Sequence, residues 1–240
     1  MHSPFVFEFI TQVLNDKTSY PAYSQVESLR KQLVKDQTVL IVEDFGAGSS
    51  VDKTNQRSIA SIAKNAAKPS KFGQLLYRMV RHYQPKTILE LGTSLGITTS
   101  YLSLGKPDAT IVTMEGAKPI AETACHNFKT LELQNITLKA GNFDQTLSAV
   151  TSELTSLDFA FIDGNHRREP TERYFHQLLP ITRNDSILIF DDIHWSPDME
   201  QAWEIIQQHP SVRCTIDLFF IGIVLFRQEF KEKQHFKIRL

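Results

Sequence analysis

Apolar and polar positions follow one pattern up to about residue 83 and another beyond it. In the first region apolar residues recur every three or four positions, which is typical of amphipathic helices. Ser3 and Pro4 predict one helix start, and Ser24 with Glu27 predicts a capping box at another. Further helices are predicted at 55–67 and 72–83. We therefore expect a mainly helical cap over residues 1–69.

From residue 86 onward, short apolar runs alternate with helical segments. The predicted strands are 87–91, 110–114, 136–139, 157–162 and 186–190. The predicted helices are at about 95–104, 117–131, 143–154, 169–179 and 197–208. Apolar strands joined through helices predict a parallel sheet covered on both faces. The runs 212–219 and 222–226 leave no room for a helix between them, so they predict an antiparallel hairpin at the sheet edge.

These patterns predict an α/β fold: a Rossmann-like, doubly wound sheet of five parallel strands plus a C-terminal antiparallel hairpin. The sheet and its helices are expected to form the second domain, over residues 70–240. In open sheets of this kind, ligands bind beyond the carboxyl ends of the strands. The residues that follow each strand are therefore the candidates for function.

Composition narrows the class of protein. The 240 residues carry 26 Lys+Arg against 27 Asp+Glu, and 41% are hydrophobic, which excludes wholesale disorder. The net charge of -1 offers no electrostatic footprint for nucleic acid or an anionic membrane. Cys125 and Cys214 form neither a disulfide framework nor a metal-ligand spacing. With no secretory signal or spanning segment in the pattern, we expect a cytoplasmic protein with a small-molecule partner.

A glycine turn follows the first predicted strand, where residues 90–96 are E-L-G-T-S-L-G. Gly92 lets the backbone turn sharply and approach a ligand. Ser94 stands where the dinucleotide-binding motif has its second glycine, which argues against a bound pyrophosphate. Glu90 suits a ligand with a cationic group. A second glycine-rich run, at 44–49, is interpreted as a turn within the cap.

The next two strand ends carry candidate nucleoside contacts. Glu115 follows the second strand about 20 residues beyond the glycine turn, where an acid can accept both hydroxyls of a ribose. Asn142 and Phe143 follow the third strand and could bond and cover an adenine ring. The alternative for Asn142 is the N-cap of the next helix, with Asp144 favoured by the helix dipole. Both interpretations stay open.

Three carboxylates follow the fourth and fifth strands: Asp163, Asp191 and Asp192. Such a cluster repels itself unless it is protonated or neutralised by a cation, and carboxylate oxygens suit Mg²⁺. We therefore predict a divalent metal on these three residues, which would bind the acceptor hydroxyl and favour its ionised form. His166 and His194 flank the cluster in sequence and could act as bases or further ligands, although a surface or capping role is commoner.

These motifs resemble those of the class I S-adenosylmethionine-dependent methyltransferases over about residues 70–240. The form E-L-G-T-S-x-G is similar to that of O-methyltransferases related to catechol and caffeoyl-CoA methyltransferases. Residues 162–166 also resemble the I-D-G-x-H motif of a bacterial group that acts on sugars and natural products. The resemblance implies strand order 3-2-1-4-5-7-6. It implies cofactor contacts from Phe72, Gln74, Glu90, Gly92, Thr93, Ser94, Glu115, Gly116, Gly141, Asn142, Phe143 and Asp163.

The sequence also departs from the metal-dependent branch of that family. The branch ends its fifth strand with Asp-Asn, where this chain has Asp191 and Asp192, and it carries a lysine where this chain has Asn165 and His166. The expected function is O-methylation of a small-molecule hydroxyl, with S-adenosylmethionine and Mg²⁺ as cofactors and Asp163 and His166 as catalytic residues. The alternatives are a metal-independent N- or O-methyltransferase with His166 as base, a nicotinamide oxidoreductase, and a non-catalytic relative. A homodimer is left open.

Overall fold

The computed structural model of the chain describes residues 3–42, 55–65 and 68–239. Its N-terminal region holds helices α1 (Pro4–Glu8), α2 (Pro21–Leu33), α3 (Ile59–Asn65) and α4 (Ser70–Tyr83), and α1 continues into a π-helical segment, Phe9–Leu14. Two short strands, β1 (Val39–Ile41) and β2 (Gln56–Ser58), pair antiparallel between α2 and α3. The Oγ of Ser3 accepts a hydrogen bond of 3.3 Å from the Val6 amide, which confirms the predicted cap of α1.

Two predictions for this region are wrong. Ser24 and Glu27 form no capping box, because α2 begins earlier, at a proline whose φ is already helical. Ser24 instead donates a hydrogen bond of 2.9 Å to the Pro21 carbonyl, and Glu27 accepts one of 2.8 Å from the Tyr101 hydroxyl. Of the segment predicted as a helix at 55–67, the described residues begin as strand β2 and are helical over α3. The glycine-rich run at 44–49 lies outside the described residues.

The second region forms the main sheet. Its strands are β3 (Thr87–Leu91), β4 (Thr110–Glu115), β5 (Ile136–Ala140), β6 (Leu157–Ile162), β7 (Thr182–Asp191), β8 (Cys214–Asp217), β9 (Ile221–Leu225) and β10 (Gln234–Lys237). The strand order is β10-β8-β9-β7-β6-β3-β4-β5, with β9 antiparallel to both of its neighbours. With β3 counted as the first strand, this confirms the predicted order and adds one strand to it.

The added strand corrects the expected position of the hairpin. The β8–β9 hairpin does not end the sheet, because β10 pairs in parallel with the outer side of β8. Only two of the four residues of β10 are half-buried, and Phe236 alone among them packs on the core. A strand with so little apolar burial lacks the run of hydrophobic residues that predicted the others.

Helices α5 (Ile97–Gly105), α6 (Lys118–Thr130), α7 (Phe143–Glu153), α8 (Arg168–Leu178) and α9 (Pro197–Gln208) connect the strands. Residues from α4 pack on one face of the sheet, and residues from α8 and α9 pack on the other, so the sheet is buried on both sides. The right-handed connections of such a fold bring the carboxyl ends of its parallel strands to one edge. No helix in the described part of the chain is long and apolar enough to cross a bilayer.

Candidate active site

The turn after β3 can be made only with glycine. Gly92 has a φ of +104°, and a Cβ built there would overlap the carbonyl oxygen of Asp163 at the end of β6. The Gly92 and Thr93 amides both donate to the Met114 carbonyl at 3.0 Å. The turn is therefore fixed between the ends of β4 and β6, at the edge where the sequence placed the site.

Glu115 connects the end of β4 to this turn. One carboxylate oxygen accepts a hydrogen bond of 2.8 Å from the Ser94 amide, and the other accepts one of 3.0 Å from the Ala117 amide. Burial raises the pKa of Glu115, while these backbone donors act against the shift. Each carboxylate oxygen can accept more than one hydrogen bond. The side chain thus keeps acceptor capacity for a diol at the predicted ribose position.

Glu90 lies fully buried behind the turn. Its Oε2 accepts hydrogen bonds from the Thr113 hydroxyl at 2.6 Å and from the Thr99 hydroxyl. Its Oε1 is buried and has no hydrogen-bond partner among the described residues. Burial raises the pKa of this carboxyl to about 8. A buried, unpartnered carboxyl oxygen costs free energy, so it fits the cationic ligand group that the sequence predicts here.

The three predicted aspartates come together, and two cationic side chains lie against them. The Nζ of Lys68 lies 3.0 Å from Asp191 Oδ2 and 2.6 Å from Asp192 Oδ1. His166 Nε2 lies 3.4 Å from Asp163 Oδ1, and its Nδ1 lies 3.9 Å from Asp192 Oδ2. We call these five residues the aspartate cluster.

Charges within the cluster shift one another's protonation. Burial lowers the pKa of Lys68, but the charges of Asp191 and Asp163 and the bond to Asp192 outweigh it, so the net shift is upward. Burial and the charge of Asp163 raise the pKa of Asp191 well above its ordinary value. Burial acts in the same direction on Asp163, but His166 and Lys68 prevail and lower its pKa. Lys68 and His166 thus offset most of the negative charge of the three carboxylates from within the chain.

The predicted Mg²⁺ site is not confirmed. Its three carboxylates are adjacent, but the ammonium group of Lys68 already lies against Asp191 and Asp192, and this arrangement does not fit a divalent ion shared by them. Within residues 3–42, 55–65 and 68–239, no group of three or more His, Cys, Asp or Glu side chains is arranged to hold a metal ion. Lys68 was missed in the sequence because it lies 124 positions from Asp192, in a polar stretch with no pattern of its own.

The end of β5 shows the capping arrangement. Asn142 Oδ1 accepts a hydrogen bond of 3.0 Å from the Asp144 amide and begins α7. Phe143 lies so close to Gly164 that a Cβ there would be 2.6 Å from its ring. Gly141, with a φ of +139°, makes the turn before them. The adenine contacts of Asn142 and Phe143 stay a prediction.

The N-terminal end of α4 lies at the same edge of the sheet. Phe72 is buried and packs edge-on against Phe220, with ring centroids 5.3 Å apart, at the tip of the β8–β9 hairpin. Gln74 lies near the Tyr101 hydroxyl, where it acts against the upward shift that burial causes in the pKa of Tyr101. Phe72 is therefore close to the strand ends, and its contact with a cofactor stays a prediction, as does that of Gln74.

His194 does not contact the aspartate cluster. Its Nε2 lies 2.9 Å from Asp217 Oδ2 and its Nδ1 lies 3.1 Å from Glu200 Oε1. His194 is close to Asp191 and Asp192 in the sequence, but its side chain lies against other residues. The expectation that it flanks the three aspartates is therefore wrong. The ring is held between two carboxylates of other elements, on β8 and α9.

A polar groove of about 390 Å³ lies away from the strand ends. Arg78, Arg81 and His82 line it, at the C-terminal end of α4 that leads into the amino end of β3. No residue predicted to bind the cofactor or acceptor lies in this groove.

Comparison with known proteins bears on this arrangement. Residues 89–193 match the model of a family described as a methyltransferase domain. An O-methyltransferase from Bacillus cereus in complex with SAH is 20% identical, with a TM-score of 0.57 over 92% of this chain and 97% of that chain. An O-methyltransferase from Streptomyces achromogenes involved in tomaymycin synthesis, in complex with SAM, is 17% identical, with a TM-score of 0.63 over 92% and 95%. A SAH-bound methyltransferase from Podospora anserina is 14% identical, with a TM-score of 0.63 over 95% and 97%.

Proposed function

We propose that the chain is a class I S-adenosylmethionine-dependent methyltransferase that methylates a hydroxyl oxygen of a small molecule, in keeping with the methyltransferase-domain match over residues 89–193. The observation that carries the proposal is the buried, unpartnered Oε1 of Glu90 beside the Gly92 turn. It fits the amino group of the cofactor's methionine moiety. Glu115, which is tied to the same turn through Ser94, fits the ribose hydroxyls.

S-adenosylmethionine, when bound, supplies an electrophilic methyl group on a sulfonium centre. The residues of the chain then have two tasks, which are to align an acceptor oxygen with that methyl group and to remove the hydroxyl proton. The carbon–oxygen bond forms as the carbon–sulfur bond breaks, so no covalent enzyme intermediate is needed. No step of this proposal passes through a metal ion.

His166 is the proposed proton acceptor. Its ring nitrogen lies 3.4 Å from the Asp163 carboxylate, which orients the imidazole and stabilises the charge that the ring gains when it takes the proton. Burial lowers the pKa of His166, but its close contact with Asp163 and the charges of Asp163 and Asp192 raise it more. Asp163 and Asp192 therefore make the imidazole a stronger base and also hold the ring in position.

Replacing Glu115 with alanine should weaken binding of S-adenosylhomocysteine. A charged acceptor of two hydroxyl groups is lost, which should cost about 1.5–3 kcal/mol, or roughly 10- to 150-fold in Kd. Isothermal titration calorimetry measures the change. Glu122→Ala is the matched control, because Glu122 is an exposed carboxylate on α6, the helix that follows β4. Equal affinities for the Glu115→Ala variant and the unchanged protein would contradict the ribose role.

Methyl transfer to oxygen can be tested with matched pairs of acceptors. We expect label from methyl-labelled S-adenosylmethionine to appear on hydroxyl compounds and not on the corresponding amines, such as phenol and aniline derivatives. The His166→Asn variant should lose this transfer while keeping its affinity for S-adenosylhomocysteine within a few-fold, since its proposed role is in proton removal. Transfer to the amine members alone would argue against an O-methyltransferase.

A further inference from the structure

Lys68 is the residue of the aspartate cluster that no motif assigns. It precedes α4 and lies outside residues 89–193, the part of the chain that matches the methyltransferase family. Its ammonium group nevertheless reaches the end of β7, where it lies between Asp191 and Asp192. Asp191 is only 1% exposed and Asp192 is 16% exposed, so the ion pairs are largely shielded from water.

The carboxylate oxygens at the end of β7 already face donors. Asp191 Oδ1 accepts a hydrogen bond of 2.9 Å from the Asp192 amide, and Asp191 Oδ2, which accepts no hydrogen bond from a described residue, lies 3.0 Å from the ammonium nitrogen of Lys68. Asp192 Oδ1 also faces Lys68, and its Oδ2 faces His166 at 3.9 Å. A divalent ion on these two residues would need the same oxygens, so it would have to displace the ammonium group. Lys68 and a metal are therefore alternatives at this position.

We propose that Lys68 is the resident cation of the aspartate cluster, positioning Asp191 and Asp192 where the sequence predicts a metal. An ammonium group has three N–H donors; one of them donates to Asp192 Oδ1 at 2.6 Å, while the nitrogen lies 3.0 Å from Asp191 Oδ2 as an ion pair. A further N–H donor is left for an acceptor oxygen, and this part of the proposal rests on the proposed function. Its consequence is that the folded protein takes up no divalent ion at this site.

The test is a titration of the protein with Mn²⁺. Binding is monitored by calorimetry and by the electron paramagnetic resonance signal of the free ion. The unchanged protein should leave millimolar Mn²⁺ free. Lys68→Met should bind Mn²⁺ about tenfold more tightly or better, since it leaves Asp191 and Asp192 without their ammonium partner, next to Asp163. Lys68→Arg keeps the charge and should behave as the unchanged protein does. Lys64→Met is the matched control, because Lys64 is an exposed lysine of α3.

Two further measurements make the result specific to the cluster. The double variant Lys68→Met with Asp163→Asn should lose the Mn²⁺ binding that Lys68→Met gains. Mn²⁺ should also raise the thermal midpoint of Lys68→Met and leave that of the unchanged protein where it is. A purely structural role for Lys68 would lower the midpoint of Lys68→Met without this rescue by the ion.

Two results would overturn the proposal. One is Mn²⁺ binding by the unchanged protein that Asp163→Asn abolishes, and the other is folded Lys68→Met with no gain in binding. If Lys68→Met does not fold, the unchanged protein and Lys68→Arg decide the question, because Mn²⁺ binding by either contradicts a resident ammonium group and its absence in both supports one. Titration of the same samples with S-adenosylhomocysteine tests the proposed function separately, since cofactor affinity does not require Lys68.

Discussion

Replacing Gly92 with valine should abolish binding of S-adenosylhomocysteine and strongly destabilise the fold. The φ of +104° is one that a β-branched residue rarely adopts, and the added Cβ would overlap the backbone of Asp163. Neither atom can move without shifting a strand end, because the Asp163 amide donates to the Leu91 carbonyl at 2.8 Å. Combined backbone strain and overpacking of this kind should cost about 4 kcal/mol or more.

Urea unfolding and calorimetry measure the two effects of Gly92→Val. Gly116→Ala is the control for stability, because Gly116, which follows β4, is half-buried and is not among the glycines with a positive φ. We expect its unfolding free energy to stay within about 1 kcal/mol of the unchanged protein. A Gly92→Val protein that unfolds at the usual midpoint and binds the ligand normally would mean that the turn after β3 is not built as described.

Replacing Glu90 with glutamine should stabilise the ligand-free protein increasingly as the pH rises, and it should weaken cofactor binding. Burial holds the pKa of Glu90 at about 8 in the folded state, against 4.5 for an ordinary glutamate. Between these values the folded form keeps a proton that the unfolded form has released, so stability falls with rising pH. Over that range the unchanged protein should lose about 3–5 kcal/mol of unfolding free energy. The Glu90→Gln variant should not lose it, because glutamine does not titrate.

The readout for Glu90→Gln is the unfolding free energy of the variant and of the unchanged protein at pH 5 and pH 8. Their difference should widen with pH, while Glu122→Gln, an exposed site, should show no such change. Affinity for S-adenosylhomocysteine should fall by about tenfold or more, because the ligand's amino group loses a charged partner. If the unfolding free energies of the variant and the unchanged protein changed in parallel with pH, the claim that burial raises the pKa of Glu90 would be wrong.

Strand ends were predictable because burial and topology act together. The predicted bounds of β3 and β6 match the structure, since these strands are buried almost throughout and so carry near-continuous apolar runs. Parallel pairing then brings their carboxyl ends to one edge, which is why Asp163 and Asp191 could be placed side by side without any contact being known. The same reasoning located Glu115 beside the Gly92 turn.

The remaining features depend on contacts that leave no periodic signal. Lys68 reaches Asp192 across 124 positions, and β10 is held by pairing with β8 rather than by an apolar face of its own. Asn142 could be interpreted as a cap or as an adenine contact because one amide oxygen serves either purpose, and the structure shows the cap. His194 follows Asp191 and Asp192 closely in the chain, but its ring contacts Asp217 on β8. The sequence did not predict β10, which pairs with β8.

A crystal structure of the protein with bound S-adenosylhomocysteine tests the proposed site most directly. The ribose hydroxyls should lie within hydrogen-bond distance of Glu115, and the amino group should lie beside Oε1 of Glu90. The sulfur should face the side of the pocket that holds Asp163 and His166. Ligand density elsewhere, for example in the polar groove lined by Arg78 and Arg81, with Glu90 and Glu115 uncontacted, would contradict the assignment of this edge of the sheet as the active site.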